Sequence, residues 1–189
     1  SRIGPKRVTQ TGLLTDKQVL FGAMICFLLA TLFGVPLVLT GGWPIALVGL
    51  ISIACAYGYT GGPFPLAYRG LGDLFVIIFF GWVAVLGMQF LFMKSINIDG
   101  FIVGTQIGFL ATVLIAINNL RDRDQDVHVN KKTLAVRFGK NFARTEIAVL
   151  AFAPFILGAY WIMTHRVLMG TIPLIAIPLA IKVVNGIFS

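Results

Sequence analysis

Six apolar stretches, separated by turns and short charged links, leave few folds open to this chain. They run over roughly 18–39, 44–59, 74–93, 100–120, 146–163 and 167–187. Most approach the ~20 residues that a helix needs to cross the hydrocarbon core of a bilayer; the second is shorter. Lipid satisfies no backbone N–H or C=O group, so each stretch is expected to be α-helical. The 189 residues are 58% hydrophobic and only 12% charged, about half the charged share of a soluble domain, which leaves too little polar surface to cover a water-facing globule. The expectation is an all-α, polytopic transmembrane helix bundle, with residues 1–189 forming a single transmembrane domain.

Turn residues punctuate the stretches where such a bundle needs them. Thr40-Gly41-Gly42-Trp43-Pro44 is a tight turn between the first two spans, and Thr60-Gly61-Gly62-Pro63-Phe64-Pro65 ends the second. Lys94–Asn97 is a short polar link after the third. Pro36, Pro154, Pro173 and Pro178 fall within spans, where packed neighbours tolerate a kink. Cys26 and Cys55 lie in apolar runs and read as small core residues. The first seventeen residues are polar, basic and turn-rich, unlike a secretory signal. A start at Ser1 and an end soon after an apolar span lead us to expect a fragment.

The net charge is +8. Because the basic residues sit between apolar spans, they imply membrane topology and phosphate binding, with no nucleic-acid partner. Twelve of fifteen Lys and Arg fall in three segments: Arg2, Lys6, Arg7 and Lys17; Arg69; and seven from Arg121 to Arg144. Six crossings put these segments on one side and leave Lys94 and Arg166 in the loops of the other. The positive-inside tendency makes the basic side cytoplasmic, in a multi-pass cell (inner) membrane protein.

The chemistry concentrates after the fourth span, in Asn118-Asn119-Leu120-Arg121-Asp122-Arg123-Asp124-Gln125-Asp126. Three of the chain's seven acidic residues lie here within five positions. If the helix continues, Asn118, Asp122 and Asp126 share a face and Asp124 points elsewhere. Carboxylates one turn apart repel unless a cation lies between them. Magnesium is the natural choice, since it binds through one or two carboxylates and substrate phosphates. Arg121, Arg123, Lys131, Lys132 and Arg137 then stand by for the phosphate oxygens. The plain alternative is a solvated loop with surface ion pairs of little consequence. The two amides leading in from an apolar helix speak against it, because buried amides need partners.

The string NNLRDRDQDVHVNKKTLAVRFG closely resembles the second aspartate-rich motif of UbiA-type intramembrane aromatic prenyltransferases. AYGYTGGPFPLAYRGLGDLFVIIFFG resembles their 1,4-dihydroxy-2-naphthoate polyprenyltransferase branch, which serves menaquinone synthesis, and GPKRVTQTGLLT resembles the segment just after the first motif there. The resemblance spans about Gly4 to Gly139. It implies a nine-helix fold around a cavity open to lipid, with two aspartate motifs facing each other across it. The six spans here would be the third to eighth helices. The first motif is expected just before Ser1, so the chain as it stands is expected to lack half the metal-binding carboxylates.

Carried over residue by residue, the resemblance implies that Asp122 and Asp126 bind diphosphate through Mg2+, with Asp124 a lesser metal candidate. It implies diphosphate contacts for Arg7, Gln10, Arg69, Asn118 and Asn119, and for Lys131 or Lys132, with Arg69 also counted among the catalytic residues. The implied partners are a polyprenyl diphosphate, 1,4-dihydroxy-2-naphthoate and the lipid bilayer, and the implied reaction is prenyl transfer with decarboxylation. Tyr57, Tyr59, Tyr68 and Asp73 are candidates for the aromatic substrate. Tyr57, Tyr59, Phe64, Tyr68 and Trp82 are candidates to steady a carbocation, each with packing as its ordinary alternative. Asp73 has a helix cap as its alternative. His128 and His165 receive no role. Three rivals stay open: a membrane transporter, a phosphatidyl-alcohol transferase, and a related prenyltransferase with another aromatic acceptor.

Overall fold

A computed structural model describes residues 8–9, 11–61 and 65–188. Arg7, Gln10 and Phe64 lie outside the described residues. The described chain is all-helical, without strands. Its elements are α1 (Asp16–Gly41), α2 (Trp43–Thr60), a 3-10 turn (Leu66–Arg69), α3 (Gly72–Met93), α4 (Ile98–Arg121), α5 (Arg123–His128), α6 (Leu134–Met163) and α7 (Val167–Phe188). Five of these are long and apolar enough to cross a membrane; the apolar part of α2, Trp43–Tyr59, is shorter.

Local chemistry sets the helix starts. Thr15 and Gln18 form a reciprocal capping box at α1. The Asn97 side chain accepts from the Gly100 N–H at α4, and the Thr133 hydroxyl accepts from the Val136 N–H at α6. The cap at Thr133 starts the sixth helix a dozen residues before the apolar stretch that begins at 146. The first turns of α6 carry the exposed Arg137 and Lys140 and the half-buried Arg144, whose charges hide these turns from an apolar-run reading, while Ala135, Ala143 and Ile147 are buried. Gly139 interrupts the helix with φ 90° and ψ 175°.

The core lies where α3 and α6 grip α4. Gly100, Gly104, Gly108, Thr112, Ala116 and Asn119 make a buried stripe of small residues along α4. On one side α3 closes onto it through a π-helical segment, Ile77–Val83. There Gly81 meets Gly104 and Gly108 so closely that a Cβ on Gly81 would strike their backbones. Close backbone approach replaces the hydrophobic driving force that lipid abolishes. On the other side Ile147 and Leu150 of α6 pack on Ala116. By contrast, α1 is apolar on all faces beyond its first turn and has no fully buried residue. Its outer faces suit lipid, as do the many exposed Leu, Ile and Phe side chains elsewhere.

Hydrogen bonds fix the two ends of the bundle. At one end the Lys132 N–H donates to the Tyr68 carbonyl at 2.9 Å, which brings the loop after α2 against the loop before α6. At the other end the Lys94 ammonium donates to the Thr40 carbonyl. There Asp99 also pairs with Arg166 and accepts from the Tyr160 hydroxyl at 2.6 Å. The loops segregate as alternating crossings require, with 65–71 and 122–133 together and 94–97 and 164–166 opposite.

Candidate functional site

The loops that meet at the first end line a half-open cavity of about 790 Å³. Its walls come from the end of α2 (Tyr59), the start of α3 (Gly72, Asp73), the end of α4 (Ile115, Asn118, Asn119) and the segment 122–133. The i, i+4, i+8 spacing of Asn118, Asp122 and Asp126 puts all three on this cavity, although α4 ends at Arg121. Asp122 sits at φ −90° and ψ 5° as a one-residue break, and the ladder bridges it: the Asp122 N–H donates to the Asn118 carbonyl and the Asp126 N–H to the Asp122 carbonyl, each at 2.9 Å.

The carboxylates of Asp122 and Asp126 are sheltered, their side chains 15% and 10% exposed. Arg121 grips Asp122 with Nε and Nη2 at 2.8 and 2.9 Å. The Lys131 Nζ donates to Asp126 Oδ2 at 3.0 Å from within the cavity. Asp124 points outward, 72% exposed, and pairs with Arg123 and Lys140. Deeper in the wall, Asp73 is buried and accepts from Asn119 Nδ2 at 3.4 Å. Asp73 is the second residue of α3, whose preceding residue is Leu71, so the side-chain cap does not form.

Other candidates divide sharply. Tyr59 and Tyr68 line the cavity, as does His128. Tyr57 is exposed and absent from its wall, and Trp82 packs away from it, donating to the Thr105 hydroxyl at 3.0 Å. Two of the cations expected to wait for phosphate are otherwise engaged. Arg123 donates to the Ala135 carbonyl at 3.0 Å and to Asp124 at 2.8 Å. Arg137 donates to the carbonyls of Lys132 and Arg69 at 3.1 and 2.7 Å. Arg137 stitches two loops together, because carbonyls in a tight loop need donors and a planar fork reaches two of them, while Arg123 ties α5 to the first turn of α6. Arg69 and Lys132 are exposed at the cavity's edge and outside its lining. Gln125 and Thr133 also line it, and neither stands out in the sequence as a site residue. Gln125 falls on the Asn118–Asp122 side of α5, and that register is the available clue.

Gly70 sits where the two loops touch. Its φ of 73° is a left-handed conformation, and a Cβ would strike the Lys132 carbonyl, so both the turn and the approach demand glycine.

A magnesium ion can be tested against these donors. Among the described residues no group of three or more His, Cys, Asp or Glu side chains could hold a metal. Asp122 and Asp126 nevertheless supply two hard carboxylate donors on one wall, the number magnesium uses when phosphates provide the rest. The set fits a metal that arrives with its own phosphate ligands.

Residues 2–187 match the model of the UbiA prenyltransferase family. The chain belongs to the UbiA prenyltransferase family. It is 38% identical to the 1,4-dihydroxy-2-naphthoate octaprenyltransferase of Mycobacterium tuberculosis, over 100% of this chain and 64% of that protein. It is 35% identical to the Escherichia coli protein of the same name, over 96% of this chain and 61% of the relative. The Mycobacterium leprae protein of that name is 32% identical, over 100% and 63%. The chain thus spans a little over three fifths of the length of the curated relatives it matches. No solved structure matches it.

Proposed function

We propose that this protein transfers a polyprenyl group from an allylic diphosphate to 1,4-dihydroxy-2-naphthoate, with loss of carbon dioxide, in menaquinone synthesis. The observation that carries the reading is the presence of Asp122 and Asp126 together on one wall of a cavity at the end of a membrane bundle, with the Lys131 ammonium on Asp126. Relatives named for this acceptor support its identity. The acids gather at one end of the bundle, which supports head-group chemistry over transport. The charge pattern of the loops supports a cytoplasmic orientation for that end, in the inner membrane.

Asp122 and Asp126 hold the diphosphate end of the donor by way of Mg2+, which supplies charge neutralisation of the leaving group when bound. Lys131, and Arg69 and Lys132 from the rim, approach the phosphate oxygens, with Arg7 and Gln10 as partners from the N-terminal segment. Asn118 and Asn119, on the cavity wall, offer their amides to the phosphate oxygens, and the Asn119 amide also donates to Asp73. As the C–O bond to diphosphate breaks, its electron pair leaves with the diphosphate. The electron-rich ring attacks the allylic carbon, and the bond to the carboxyl group breaks so that its pair restores aromaticity. Tyr59, Tyr68 and Asp73 orient the ring, and their sheltered wall keeps water from the cationic carbon.

The test is Asp122→Ala in the full-length protein. Prenyl transfer to dihydroxynaphthoate in the presence of Mg2+ is expected to fall by roughly 10²- to 10³-fold, the cost of losing a charge-stabilising contact. Expression and membrane insertion are expected to persist. Activity within a few-fold of the unaltered protein would overturn the reading.

A further inference from the structure

Among the described residues, Lys131 is the lysine or arginine that lines the cavity. α5 ends in a Schellman turn. Asn130 takes the left-handed conformation at φ 54°, the Asn130 N–H donates to the Val127 carbonyl at 3.1 Å, and the Lys131 N–H donates to the Asp126 carbonyl at 2.8 Å. This turn folds the backbone of Lys131 back onto the residue whose carboxylate its ammonium meets. The pair is sheltered, with the lysine 25% and the aspartate 10% exposed, unlike a surface ion pair. The same ammonium lies within electrostatic reach of the buried Asp73. Arg121 also holds a carboxylate, but it is outside the cavity lining and clamps Asp122 through two bonds. Lys131 makes one side-chain bond on a flexible stem, so it can let go while its backbone stays in place.

We propose that Lys131 is the resident counter-ion of the cavity: it holds Asp126 in the resting protein and swings to the phosphate oxygens when a metal diphosphate enters, so that free metal is turned away. The inference rests on the diphosphate reading above. A positive charge already seated on Asp126 repels a bare divalent cation. A metal that carries diphosphate brings negative charge for the lysine to move to, and Asp126 is released in the same step. Metal and diphosphate therefore enter as a unit.

Electron paramagnetic resonance titration of Mn2+, with and without inorganic pyrophosphate, tests this on the full-length protein. Unaltered protein is expected to bind free Mn2+ weakly and Mn2+–pyrophosphate tightly. Lys131→Met is expected to bind free Mn2+ about tenfold more tightly and Mn2+–pyrophosphate about tenfold less tightly, a coupling of ordinary size. Lys131→Arg keeps the original order of affinities. Adding Asp126→Asn to Lys131→Met abolishes the gain for free metal, which assigns the gain to this carboxylate. If Lys131→Met binds free Mn2+ no more tightly than the unaltered protein while all bind Mn2+–pyrophosphate, the counter-ion role falls and the diphosphate reading stands. If none binds Mn2+–pyrophosphate, both fall.

Discussion

Arg137 supports the site through backbone carbonyls. Its guanidinium spans the carbonyls of Arg69 and Lys132, and so ties the loop after α2 to the loop that carries Lys131. Arg137→Gln loses the two-pronged reach. We expect a fall of about ten- to a hundredfold in kcat/KM, the penalty for small displacements of positioned groups, with helical content unchanged by circular dichroism. Activity within twofold would mean that Gly70 and the Lys132–Tyr68 hydrogen bond hold the loops unaided. Sequence spacing alone is enough to bring Asn118, Asp122 and Asp126 together, because a helical register survives a one-residue break when the hydrogen-bond ladder bridges it. It cannot separate Lys131 from Lys132, since that choice depends on Asn130 adopting a left-handed turn. Nor can it reveal that Arg137 and, through one of its bonds, Arg123 donate to backbone carbonyls, which leave no pattern in the residue types.

Among the elements, the contact of α3 with α4 governs whether the cavity keeps its shape. Asp73 and Asn119 come from these two helices, and their hydrogen bond requires the helices to stay in register. The π-helical segment and the glycine stripe set that register. Gly81→Leu should overpack the contact and cost about 1–3 kcal/mol, read as a lower Tm of the detergent-solubilised protein. Gly87→Leu, one and a half turns along the same helix, is the control, because a Cβ there meets nothing within 4 Å. Equal losses in both variants would remove the special role of the Gly81 contact. Helix positions are readable in the chain because lipid forces long apolar runs. The early start of α6 is hidden by its charges, and the π-helical segment by the absence of any local signature, since it arises from how closely α4 allows α3 to approach.

For the whole molecule, the segregation of loops makes a prediction about sidedness. In a background of Cys26→Ser and Cys55→Ser, Ile96→Cys and Val127→Cys place single thiols in exposed positions at opposite ends of the bundle. A membrane-impermeant maleimide is expected to label Ile96→Cys in intact cells and Val127→Cys only after permeabilisation. The reverse pattern would invert the orientation, and labelling of both from outside would break the six-crossing topology.

The modest size of the cavity bears on where a long isoprenoid tail must go. About 790 Å³ is the room that drug-sized molecules occupy. On the proposed chemistry a diphosphate head and a two-ring acceptor fit within it, whereas a tail of many isoprene units does not, so the tail extends beyond the cavity toward the surrounding acyl chains. On that chemistry the cavity handles the polar ends of both substrates. The product is then formed with its tail already dissolved in the bilayer, and releasing it requires only that the ring leave after it.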